Sequence, residues 1–209
     1  MSGNFLAKNT IGTSVKICGL SDEDTIDIAV ASGANAVGFV FVEESPRFVE
    51  RHLADQLMLQ LPTDVIGVAV LQDPTSLEPY KTWGGWLQLC GDEDERTVST
   101  APRPVIKAVQ WNKEEVVRWD GCKNVAAILV DGSTGGLGIS FDVSELATLI
   151  PTLQTPIIIA GGLSPENVQE VIAKAKPAGV DVSSGVESSL GVKDPEKICA
   201  FIQKVKDTC

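Results

Sequence analysis

Two residues of a type that moves protons stand where a run of apolar residues stops. Cys18 closes the run Val15-Lys16-Ile17-Cys18, and Asp131 directly follows the apolar stretch 125–130. A thiolate is a competent base or nucleophile once its ionisation is tuned. The alternative reading of Cys18 is a small buried apolar side chain, the commonest role of a free cysteine. A carboxylate at the end of so apolar a run is partly desolvated, which favours its protonated form and suits a general acid. Otherwise Asp131 caps a turn with Gly132. Two groups of small residues, Gly161-Gly162 and Ser183-Ser184-Gly185, also follow apolar runs. With no bulky side chain in the way, their backbone N–H groups can close on an anion. Arg47, at the end of Glu43-Glu44-Ser45-Pro46-Arg47, is either a bidentate clamp for a second anionic group or a solvated surface charge.

The runs that end in these residues recur along the chain. Stretches 15–18, 36–41, 65–70, 86–89, 104–109, 125–130, 156–160 and 179–182 are rich in β-branched and apolar residues. Several are apolar throughout, as strands buried on both faces are. Helical patterns lie between them, near 21–32, 50–60, 75–83, 92–99, 112–119, 142–150, 165–175 and 194–206. Ser21 with Asp24, Asp142, and Ser164-Pro165-Glu166 mark helix starts. The pair Ser164 and Asn167 lacks the Glu or Gln of a capping box. Eight β units alternating with eight α units predict a parallel sheet, and eight strands close a (β/α)8 TIM barrel, an α/β fold. The competing architecture is an open doubly wound sheet. Its glycine-rich phosphate loop belongs after the first strand, where this chain has only Cys18-Gly19. The predicted organisation is a short N-terminal extension, residues 1–14, and one barrel domain, residues 15–209.

In a barrel the C-terminal strand ends face the active site. That rule brings together Cys18, Arg47, Gln88, Cys90, Gln110, Asp131, Gly161, Gly162, Ser183, Ser184 and Gly185 from different strands. Strands 7 and 8 are where barrels hold phosphate, which fits the two small-residue loops. The segment 132–138 (GSTGGLG) reads as a loop that folds over a ligand, or as a plain connection. Lys107 and Asp181 fall inside strands, so each must reach the rim or point into the site; Asp181 is placed among the substrate contacts. The lone histidine, His52, falls in a helical region and reads as a surface residue, which speaks against a histidine triad or a histidine-rich metal site. Trp83, Trp86, Trp111 and Trp119 read as packing residues.

Composition narrows the function classes. A chain of 209 residues that is 44% hydrophobic can bury a large core. A net charge of −11 repels nucleic acid and anionic lipid, so neither is an expected partner. Five widely spaced cysteines without a CxxC predict neither a disulfide framework nor a zinc knuckle, and fit a reducing, cytoplasmic setting. The opening MSGNFLAKNTIGTS has neither signal-peptide nor transit-peptide layout, and the apolar stretches are strand-sized.

The segments VKICGL (15–20), VGFVF…SPR (37–47), LQLCGDE (87–93), VIKAV (105–109), LVDGSTGGLGISFD (129–142), IIIAGGLSPENV (157–168) and GVDVSSGVESSLGVKDPEKI (179–198) together resemble the phosphoribosylanthranilate isomerase family. The resemblance runs from Val15 to about Val205. It implies an Amadori rearrangement of N-(5-phosphoribosyl)anthranilate, with no metal and no organic cofactor. It implies Cys18 as general base at ribose C2 and Asp131 as general acid at the ring oxygen. Arg47 would hold the anthranilate carboxylate, and the loops at Gly162 and Ser184-Gly185 the phosphate. Monomers and homodimers both fit. Three positions depart from the family pattern: Cys90 replaces a common His, Val143 a Trp and Ala69 a Phe. These raise the alternative of a diverged enzyme, an isomerase or lyase, acting on a related N-glycosyl sugar phosphate. A non-catalytic binder would need neither Cys18 nor Asp131.

Overall fold

The computed structural model describes residues 12–132 and 143–208. The expected extension up to residue 11, the segment 133–138 and the helix start at Asp142 lie outside the described residues. Eight parallel strands close into a barrel in sequence order: β1 (Ser14–Cys18), β2 (Ala36–Val40), β3 (Ile66–Leu71), β4 (Trp86–Leu89), β5 (Val105–Gln110), β6 (Val125–Asp131), β7 (Ile157–Ala160) and β8 (Gly179–Val182). Closure is made by β1 against β8, with Lys16 opposite Asp181. Each strand lies within one residue of its expected bounds at either end. The outer layer holds α1 (Glu23–Ser32), α2 (Arg51–Met58), α3 (Glu95–Ser99), α4 (Lys113–Trp119), α5 (Val143–Leu149), α6 (Val168–Ala175) and α7 (Pro195–Lys206).

Period-two alternation divides each strand between two cores. Side chains such as Ile17, Phe39, Leu87, Ile128 and Ile159 face outward and pack under the helices. Ile66, Val68, Trp86, Ile106, Leu129 and Ile158 fill the barrel interior. Ala69 belongs to the outward set and is fully buried. Helix α7 presents Ile198, Phe201, Ile202 and Val205 at helical spacing, all buried. It packs against α1, where Lys206 Nζ donates to Ser32 O at 2.6 Å, and so joins the last element to the first.

Helix boundaries follow local chemistry that the first cues only approached. Asp22, between Ser21 and Asp24, is the cap of α1: its Oδ1 accepts the Thr25 N–H at 2.8 Å. Gly33, at φ 103°, ends that helix in the left-handed conformation that favours glycine. The expected helix at 75–83 is only a 3₁₀ turn, Glu78–Thr82, because Pro79 supplies no donor and the chain turns at Gly84-Gly85. Helix α6 starts three residues after Pro165. Ser164 and Asn167 nevertheless close the turn before it, with Asn167 Oδ1 accepting the Ser164 N–H at 2.9 Å and Ser164 Oγ accepting the Glu166 N–H at 3.3 Å. The asparagine therefore performs the task of the missing Glu. After β8 the chain forms a short 3₁₀ turn (Ser184–Val186) and an unexpected antiparallel hairpin, β9 (Glu187–Ser189) and β10 (Val192–Lys193). Among the described residues, no helix is long and apolar enough to cross a membrane.

Candidate active site

The C-terminal strand ends surround a cavity of about 340 Å³, and every residue expected at the site lines it: Cys18, Arg47, Asp131, Gly161, Gly162, Asp181, Ser183, Ser184 and Gly185. Gln88, Cys90 and Gln110 line it as well. Cys18 ends β1 and is 6% exposed. Asp131 ends β6 across the barrel and is half-buried.

The loops after β7 and β8 form one wall. Gly161 and Gly162 both take positive φ, 84° and 68°, a conformation that favours glycine and leaves the backbone open to a close approach. A Cβ on Gly185 would overlap the carbonyl oxygen of Leu163, so only glycine lets the two loops touch. Asn167 Nδ2 donates to Gly162 O at 2.8 Å, and Ser183 Oγ donates to Cys18 O at 3.1 Å. Together these bonds fix a small-residue pocket suited to an anion.

Arg47 is held by a carboxylate that the sequence reading gave no role. Its Nε and Nη2 donate to Glu187 Oε1 and Oε2 at 2.6 and 2.9 Å. Lys193 Nζ also reaches Glu187 Oε1, at 2.8 Å, and Ser183 O at 2.9 Å. Burial opposes the Glu187 charge, but hydrogen bonds from Arg47, Lys193 and the Gly191 N–H bring its carboxyl down to about 2. One bidentate edge of Arg47 is therefore already used. Three of its five N–H donors remain for a ligand, the two on Nη1 and one on Nη2. The hairpin β9–β10 thus belongs to the site. Its signal in the sequence was the pair of opposite charges at Glu187 and Lys193 flanking the tight turn at Gly191.

A second buried pair lies beneath Cys18. Lys16 Nζ donates to Asp181 Oδ1 at 2.8 Å, and the Lys16 side chain is 0% exposed. Period two in Val15-Lys16-Ile17-Cys18 puts Lys16 on the inward face with Cys18, a signal present in the sequence alone. Lys107 differs from expectation: it neither reaches the rim nor enters the site. It sits between inward-facing Ile106 and Ala108 and points outward. There its Nζ donates to Glu93 Oε2 at 2.7 Å and to Gly91 O at 2.6 Å.

Of the three departures from the family pattern, Cys90 alone reaches the cavity among the described residues. Ala69 and Val143 are buried in the outer core and line no part of it. Cys90 opens on the cavity but is crowded by protein, and that burial pushes its thiol up to about 12 against a hydrogen bond from Gln88. A second cavity, about 400 Å³, shares Cys90, Ala108, Val109 and Gln110 with the first.

Residues 15–204 match the family described as N-(5'phosphoribosyl)anthranilate (PRA) isomerase. The chain belongs to that family. A relative named N-(5'-phosphoribosyl)anthranilate isomerase from Marinomonas sp. (strain MWYL1) is 40% identical over 203 residues, 92% of this chain and 97% of the relative. The crystal structure of phosphoribosyl anthranilate isomerase from Thermotoga maritima superposes with a TM-score of 0.85 at 34% identity, covering 93% of this chain and 99% of that one. A structure of the isomerase in complex with reduced 1-(o-carboxyphenylamino)-1-deoxyribulose 5-phosphate superposes with a TM-score of 0.82 at 32% identity, covering 93% and 99%. These two solved isomerases therefore share the barrel fold with this chain over most of its length.

Proposed function

We propose that this chain isomerises N-(5-phosphoribosyl)anthranilate to 1-(2-carboxyphenylamino)-1-deoxyribulose 5-phosphate. The observation that carries the reading is the opening of Cys18 and Asp131, from opposite sides of the barrel, onto one cavity walled by the β7 and β8 loops. The loops at Gly161-Gly162 and Ser183-Ser184-Gly185 hold the phosphate, and the Nη1 side of Arg47 takes the anthranilate carboxylate. Asp181, on the cavity wall, accepts from the sugar. Asp131 gives its proton to the furanose ring oxygen as the bond from C1 to that oxygen breaks, leaving C1 doubly bonded to nitrogen. The Cys18 thiolate then removes the proton from C2. The electron pair forms the C1–C2 double bond of an enolamine and neutralises the nitrogen. C1 then takes a proton back from the Cys18 thiol while the C2 hydroxyl gives its proton to the Asp131 carboxylate, which yields the C2 ketone and restores both groups. Each step needs one donor or one acceptor, positioned on the correct side of the sugar.

The same reading makes the protein a cytoplasmic enzyme of tryptophan biosynthesis that acts on a small molecule, as monomer or homodimer, without nucleic acid. The alternative of a diverged substrate loses most of its motive, because Ala69 and Val143 lie away from the cavity. The test mixes purified protein with freshly made phosphoribosylanthranilate and follows loss of its fluorescence, beside Cys18→Ala and Asp131→Asn. Conversion to the ribulose product is expected, reduced about 10²–10⁴-fold or more in each variant. No conversion, or release of anthranilate above the spontaneous rate, refutes the proposal.

A further inference from the structure

The inward face of β1 carries Lys16 directly below Cys18, and β2 leaves room for both. Cys18 pairs with Gly38 in the sheet. A Cβ on Gly38 would lie 2.9 Å from Cys18 Sγ and 3.1 Å from Lys16 Nζ, so both groups border the same small space. Lys16 is entirely buried, and among the described residues its anionic hydrogen-bond partner is Asp181. A lysine is seldom buried so fully inside a barrel, and a buried ion pair by itself adds little stability. Its position against the thiol gives it a use.

We propose that Lys16 is a positioning residue that supplies the counter-charge for the Cys18 thiolate, and that Asp181 holds the Lys16 ammonium in place while competing with the thiolate for it. This inference rests on the reading of Cys18 as the base. When Cys18 is a thiol, Lys16 is neutralised by Asp181. When Cys18 loses its proton, the ammonium lies between two anions and stabilises both. Asp181 therefore acts on Cys18 in the opposite sense to Lys16. Burial pushes the resting thiol up from its ordinary value; Lys16 opposes that shift and Asp181 adds to it. Other titratable or charged groups near Cys18 or on the same cavity come from other elements: Lys193 on β10, Arg47 beyond β2, Cys90 just after β4 and Asp131 on β6. Lys193 and Arg47 are tied to Glu187, which leaves Lys16 as the cation that borders Sγ directly.

The test follows alkylation of Cys18 by iodoacetamide from neutral to strongly alkaline pH, resolved by peptide mass spectrometry from the other cysteines. The native protein is compared with Lys16→Met, Asp181→Asn and the double variant, which buries no unpaired charge. The midpoint for Cys18 should rise by about one to three pH units in Lys16→Met, fall in Asp181→Asn, and remain above the native value in the double variant. Opposite movement in the single variants is a result that a merely structural role does not produce. If Lys16→Met does not fold, the double variant and Asp181→Asn decide. An unchanged or lower midpoint without Lys16, or a midpoint that does not fall in Asp181→Asn, overturns the proposal. Full turnover by Cys18→Ala would instead remove the base assignment while leaving the alkylation result standing, so the two failures are distinguishable.

Discussion

Glu187 joins the hairpin to Arg47, and replacing it by Gln tests that junction in both stability and substrate binding. In the folded protein its carboxyl drops from the ordinary 4.5 to about 2, because Arg47 and Lys193 outweigh the cost of burial. At about 1.4 kcal/mol per pH unit this corresponds to roughly 3 kcal/mol, and screening by water at the cavity mouth reduces it to about 2 kcal/mol. A depressed acid contributes its full stability above the unfolded value and loses it as pH falls toward the folded one. The native protein should therefore exceed Glu187→Gln by about 2 kcal/mol near pH 7. The gap should shrink below pH 4.5, with less than half remaining at about pH 3. Urea unfolding of both proteins across this range measures the gap directly, since acids common to both cancel in the difference. Arg47 also loses its charged support, so KM for phosphoribosylanthranilate should rise about tenfold with a smaller change in kcat. A stability gap that is independent of pH, or that widens on acidification, would refute the assignment of Glu187 as the ionised anchor.

Two further predictions concern the phosphate wall and the outer core. Gly185→Ala places a methyl against Leu163 O; forcing the β7 and β8 loops apart should weaken competitive inhibition by inorganic phosphate about tenfold or more, and an unchanged inhibition constant would contradict the placement of phosphate there. Phe201→Ala removes a fully buried ring between α7 and the barrel. It should cost about 3–5 kcal/mol in denaturant unfolding, while kcat stays near the native value where the variant remains folded.

The barrel and most of the cavity wall were legible because they depend on local pattern. Apolar runs of strand length set β1 to β8, and the barrel rule then assigned Cys18, Asp131, Gly161 and Ser183 to one end. Lys107 was misread because strand membership does not say which face a residue occupies. Its outward position is stabilised by Glu93, 14 residues away, and that pairing exists only after the β4–α3 connection folds back. The hairpin was missed for a related reason. Glu187-Ser188-Ser189 and Val192-Lys193 show little apolar alternation, and the segment is held by charge: Glu187 receives Arg47, Lys193 and the Gly191 N–H. The stretch 75–83 failed in the other direction, since a helical pattern was read across Pro79.

An acidic protein that binds a substrate carrying both a phosphate and a carboxylate must keep its own charges from dominating the site. The net charge of the chain is −11. At the cavity, Lys16 is matched by Asp181, while Arg47 and Lys193 share Glu187. The cations are thus largely committed before any ligand arrives. On the proposed reading, attraction for phosphate then comes from backbone N–H groups, which carry no formal charge and need no proton. This division has a chemical advantage. A free lysine beside the phosphate loops would also bias the ionisation of Cys18 and Asp131 whenever substrate entered or product left. Paired cations and backbone donors allow the anion to bind while the proton-transfer groups keep their own local controls, with Lys16 and Asp181 placed under one of them.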